Sequence, residues 1–164
     1  MLGDSIVVEK RHLKSAAGIV DFVLPLIEQH PGRYTISIAG ESGSGKSETA
    51  TALAAALITS GNSCLILQQD DYFVHPPKTN DQTRRADIAW VGPQEVRLDL
   101  LDAHLQSFRE GSSVIEKPLV IYEKDRVTTE RFDVGDSRVL IAEGTYTTTL
   151  SNVNTRVLTV LLKE

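Results

Sequence analysis

The sequence predicts an α/β fold, a three-layer sandwich in which helices cover both faces of a mainly parallel sheet. Two observations carry that prediction. Short apolar runs at 34–39, 64–68, 139–142 and 156–162 are near-continuous rather than alternating, as strands buried on both faces must be. Stretches with apolar residues at helical spacing separate most of them. A third observation narrows the class. Gly40-Glu41-Ser42-Gly43-Ser44-Gly45-Lys46-Ser47 matches G-x-x-x-x-G-K-[ST] between the first apolar run and an alanine-rich helical stretch. That strand–loop–helix context is what a phosphate-binding loop requires, and it makes the sandwich one of the P-loop NTPase type.

Taken in order, residues 13–29 place Leu13, Ala16, Ala17, Val20, Val23, Leu26 and Ile27 at helical spacing, with Pro25 expected to kink or shorten the helix. Residues 1–33 thus read as an N-terminal helical extension of a single domain spanning 1–164. His30-Pro31-Gly32 reads as a turn into the first strand. After the loop, Glu48 to Thr59 forms a helix with Leu53, Ala54 and Leu57 on one face and Gly61 at its end. The strand Cys64–Gln68 leads into Gln69-Asp70-Asp71-Tyr72-Phe73. Residues 74–92 lack periodicity and read as a long irregular insertion, which in a compact domain is a functional signal. Pro93 opens a helix carrying Leu98, Leu101, Leu105 and Phe108, closed by Gly111. Residues 113–122 and 126–132 pair as a hairpin around Lys124-Asp125, and 112–135 joins 74–92 as an acceptor-side insertion. Val139–Ala142 is a third buried strand running into Glu143-Gly144, and Arg156–Leu162 a fourth.

Composition excludes several classes. The chain of 164 residues is 41% hydrophobic and 24% charged, ordinary for a globular protein. A net charge of −5 without a basic stripe argues against a nucleic-acid partner. The apolar stretch Ile19–Ile27 is short and broken by Asp21 and Pro25, so no membrane span or signal peptide is expected. One cysteine, Cys64, allows no internal disulfide, which fits a cytoplasmic location. The four histidines have no metal-ligand spacing with one another or with Cys64. The sequence sets no oligomeric state and leaves a homo-oligomer open.

Chemistry gathers at the C-terminal ends of the strands. Backbone N–H groups of Gly40, Ser42, Gly43, Ser44 and Gly45 can cradle a triphosphate at the following helix's N-terminus, and Lys46 can reach the β- and γ-phosphates. The Ser47 hydroxyl can ligate Mg²⁺, and Glu143, emerging from a buried strand, is its candidate partner. Of the adjacent Asp70 and Asp71, extended backbone sends one toward the site and one away; an aspartate near the γ-phosphate can take an acceptor's proton. Arg84 and Arg85, with Lys78, are candidates for binding an anionic part of the acceptor. Tyr72, Phe73, Trp90 and Tyr146 are candidates for lining its pocket.

The loop at 40–47, the Gln-Asp-Asp-Tyr-Phe segment at 69–73 and Ile-Ala-Glu-Gly at 141–144 together resemble the uridine kinase/phosphoribulokinase group, with similar order and spacing over about 34–162. The resemblance implies ATP and Mg²⁺ as cofactors, Asp70 as catalytic base and Glu143 beside Mg²⁺. It also implies transfer of a phosphoryl group to a hydroxyl of a small metabolite such as a nucleoside. Two departures stand out. Trp90-Val91-Gly92-Pro93 replaces the Asp-His-Pro segment that holds ribose in uridine kinases, and Tyr122 to Arg126 is only loosely similar to their nucleoside-gripping stretch. The sequence reaches Glu164 where that family continues into an arginine-bearing lid and a fifth core strand, so either this chain is incomplete or the fold is expected to lack both. A regulatory or assembly module that binds nucleotide without transferring phosphate is the alternative; a GTPase is disfavoured because no Asn-Lys-x-Asp segment is present.

Overall fold

The computed structural model describes residues 6–160. Its frame is a four-stranded parallel sheet of β1 (Tyr34–Gly40), β2 (Cys64–Gln68), β5 (Val139–Gly144) and β6 (Thr155–Thr159), in the order β2-β5-β1-β6. Every residue of β1 and β5 is buried, which explains their unbroken apolar character.

Side-chain alternation divides the sheet's two faces. Ile36, Ile38, Cys64, Val139 and Ile141 pack with α1 (Lys10–Gln29) and α2 (Lys46–Thr59). Leu67, Leu140 and Ala142 face the other way, onto α4 (Leu98–Arg109) and the antiparallel hairpin of β3 (Val114–Ile121) and β4 (Arg126–Asp133). Arg33 ties this second layer down from the sheet's lower edge, donating to the carbonyls of Phe108, Ser112 and Gly135.

Several elements depart from the sequence reading. The stretch 74–92 is not irregular. It holds α3 (Pro77–Ala86) and a 3₁₀ turn at Ile88–Trp90. Helix α3 buries only Asn80, so it carries no apolar stripe for periodicity to detect. It is held instead by polar links: Asp125 at the hairpin tip accepts from Lys78 N–H at 2.6 Å and Thr79 Oγ1 at 3.2 Å. Pro93 starts a 3₁₀ turn, and the helix proper begins at Leu98.

Helix α1 runs through Pro25 to Gln29, clamped on either side of the proline by the fully buried Val23 and Ile27. Its buried stripe is His12, Ala16, Val23 and Ile27, whereas Leu13 and Leu26 are exposed. The last strand is described over Thr155–Thr159, and Leu161 to Glu164, where the expected strand would end, lie outside the described residues. No helix among the described residues is long and apolar enough to cross a membrane.

Candidate active site

Strand order builds the site. Because β5 lies between β2 and β1, Glu143 is paired in register with Gln68 on one side and Ile38 on the other. The chain beyond Gln68 turns through a 3₁₀ segment, Gln69–Tyr72, and the chain beyond β1 becomes the phosphate loop. Glu143 therefore stands between the loop and the Asp70-Asp71 pair. The Ser47 hydroxyl donates to Glu143 Oε2 at 3.1 Å across the sheet edge. Gly144 permits this close fit, since a side chain there would collide with the buried Gln69, whose Oε1 accepts from Tyr146 N–H at 2.7 Å.

The loop has the backbone its sequence requires. Gly43 and Gly45 both have φ 79°, and Gly45 is the N-cap of α2. Lys46 and Ser47 thus occupy the helix's first turn, where N–H groups and the macrodipole favour an anion.

Glu143 is 3% exposed. Burial, then the nearby negative charge of Asp70, push its pKa up to about 7, against the opposing pull of Lys46 and the Ser47 hydrogen bond. A buried carboxylate left short of positive charge, facing a serine hydroxyl, suits a hard, oxygen-seeking cation that completes its shell with phosphate and water. The donor set fits Mg²⁺. The raised pKa also has a sign for stability. The folded state retains a proton that the unfolded chain has lost above pH 4.5, so stability without metal falls as pH rises from about 4.5 to about 7 and then levels. Denaturant titrations in chelator at pH 5 and 7.5 should show this decline, at most on the order of 3 kcal/mol from this group. Glu143→Gln should flatten it.

Asp70 and Asp71 meet different surroundings, although the backbone is a 3₁₀ turn rather than extended. Asp70 is half-buried, and its charge acts on Glu143. Asp71 is 2% exposed; its Oδ2 receives the Lys117 ammonium at 2.8 Å and its Oδ1 accepts from Val120 N–H at 3.0 Å. Lys117 also meets Glu130 Oε1 at 2.6 Å.

A cavity of about 250 Å³ opens beside these groups, and its lining includes Ser47, Glu143, Gln68, Asp71, Lys117 and Glu130. Lys117, Glu130 and Gln68 were not candidates from sequence. The available signal was a lysine in step with Ile115 and Leu119 along an apolar strand, a position that normally points inward.

Other candidate residues are placed elsewhere. Tyr72 is fully buried in the core, its hydroxyl 2.8 Å from His104 Nδ1, because the 3₁₀ turn rotates it inward. Arg84 is spent on Glu95, a carboxylate with a fully buried side chain, and stacks over Phe73. Arg85 pairs with Asp81 one turn earlier on the exposed face of α3. Tyr122 and Arg126 are exposed at the hairpin tip. Trp90 donates to Asn80 Oδ1 at 2.8 Å, within the α3 link. Cys64 is a buried core thiol whose pKa burial pushes up to about 12.

A family model described as phosphoribulokinase/uridine kinase matches residues 35–160, from β1 through β6. The chain belongs to this family. The bifunctional alpha-galactosidase/sucrose kinase AgaSK of Mediterraneibacter gnavus is 32% identical over 124 residues, covering 70% of this chain and 13% of that protein. Uridine kinase of Ureaplasma urealyticum is 29% identical over 111 residues, covering 68% of this chain and 52% of the enzyme. The chain thus spans about half the length of the uridine kinase it matches, and far less of the bifunctional protein. Among solved structures, a possible uridine kinase from Bacillus stearothermophilus superposes with a TM-score of 0.70 at 19% identity, covering 88% of this chain and 79% of that one. That likeness establishes the P-loop kinase fold.

Proposed function

We propose that this protein is a kinase that transfers the γ-phosphoryl group of ATP to a hydroxyl of a small metabolite. The observation that carries the reading is the convergence of Lys46, Ser47, Asp70 and Glu143 at adjoining strand ends, with a cavity bordered by Ser47 and Glu143 beside them. Lys46 and the loop N–H groups neutralise phosphate charge and align the triphosphate. Ser47 and Glu143 hold Mg²⁺, which when bound offsets the charge on the phosphate oxygens. Asp70 orients the acceptor hydroxyl and takes its proton as the oxygen bonds to phosphorus and ADP leaves. Asp71 is unsuited to that task, because its carboxylate is already committed to Lys117 and the Val120 N–H.

Uridine kinases among this protein's relatives make nucleosides the first class to try, followed by free sugars. The test is ADP release from MgATP across a panel of hydroxyl metabolites, with product mass confirming one added phosphate. Acceptor-dependent release supports the kinase. Tight MgATP binding with release indifferent to every acceptor supports a nucleotide-binding module instead.

A further inference from the structure

His12 opens the buried stripe of α1 where that helix meets the phosphate loop. It is 6% exposed, although Arg11 and Leu13 beside it face solvent. Its Nδ1 accepts the Glu9 N–H at 3.0 Å, so in the neutral ring Nε2 carries the proton. That edge of the ring is turned toward Gly45, where an added Cβ would lie 2.9 Å from Nε2 and 3.1 Å from Cδ2. The imidazole therefore fills the space a side chain would occupy at the turn from loop to helix. Gly45 is the hinge of that turn: its φ is 79°, and its carbonyl accepts the Thr49 N–H at 2.9 Å. Six residues before His12, Ile6 borders the cavity together with Ser47 and Glu143. The family match begins only at residue 35, so these contacts come from outside the shared segment.

We propose that His12 is a positioning residue for the triphosphate site, holding the Gly45 turn so that the loop's N–H groups are aimed before nucleotide arrives. The proposal rests on the reading of residues 40–47 as that site. A loop lined by glycines loses much conformational freedom when it closes on phosphate, and a ring packed against its hinge removes part of that cost beforehand. The helix cap and the loop contact use opposite edges of the ring, so they can be separated by substitution.

His12→Asn keeps an acceptor near the Nδ1 position and preserves the start of α1, but falls short of Gly45. His12→Gln extends an N–H toward the Nε2 position. Dissociation constants for MgADP, measured by calorimetry on the full chain, need no acceptor. His12→Ala and His12→Asn should each weaken binding roughly five- to tenfold, His12→Gln should recover most of it, and the melting temperature of His12→Asn should stay near that of the parent. Parent-like affinity in His12→Asn overturns the proposal. So does a loss in all three variants that simply follows their melting temperatures. Failure of every acceptor in the kinase assay, with this pattern intact, strikes the kinase reading and leaves the role of His12 standing.

Discussion

Asp70→Asn should reduce phosphoryl transfer by roughly 10²- to 10⁴-fold while leaving the dissociation constant for MgATP within about twofold of the parent. Asparagine keeps the shape and hydrogen-bonding reach of the side chain but cannot take the acceptor's proton. The prediction is specific to one member of the pair. Asp70 is half-buried and acts electrostatically on Glu143, whereas Asp71 is enclosed by Lys117 and the Val120 N–H. Removing the negative charge of Asp70 should also let the Glu143 pKa fall from about 7, because that charge is the second largest cause of its elevation after burial. Steady-state turnover with the best acceptor, set beside calorimetric MgATP binding, reads both quantities. Transfer within tenfold of the parent would remove Asp70 from the chemistry.

Lys117→Met carries the largest expected effect on stability, a loss of about 3–5 kcal/mol. The ammonium is 4% exposed and lies 2.8 Å from Asp71 and 2.6 Å from Glu130. Methionine fills similar volume yet leaves the Asp71 carboxylate buried without its cation, and that penalty exceeds the value of the ion pair itself. For a chain of this size the melting temperature should drop by about 10 °C. Adding Asp71→Asn to Lys117→Met should restore part of the loss, since the stranded charge is then gone. A single-variant loss below about 1 kcal/mol would mean that solvent reaches the pair and that the hairpin is not anchored there.

The Lys117 result also bears on the site. Lys117 fastens β3 to the turn carrying Asp70 and Asp71, so its loss should displace Asp70, the proposed base, as well as loosen the fold.

What was legible in the sequence was local. The phosphate loop is a contiguous motif, and Asp70 and Glu143 each follow an unbroken apolar run, so strand and strand end could be read together. The insertion of β5 between β1 and β2 is a long-range fact that no window along the chain contains, yet it is what brings Glu143 to Ser47. Helix α3 was hidden because polar links rather than an apolar stripe hold it. The apolar spacing of α1 was visible but its facing was not: a histidine begins the buried stripe, and two leucines are left outside it. The residue type of Lys117 speaks against its buried position, since a lysine ordinarily faces water.

The placement of β5 also governs when the site can exist. The loop strand and the Asp70 strand are made early but are not sheet neighbours; each hydrogen-bonds to β5, which follows some seventy residues after β2. A nascent chain halted before Val139 holds the phosphate loop and both aspartates with nothing to join them. Assembly thus waits on a late, distant strand slotting into the middle of the sheet, a step slow by its topology and one that leaves two apolar strand edges unpaired meanwhile.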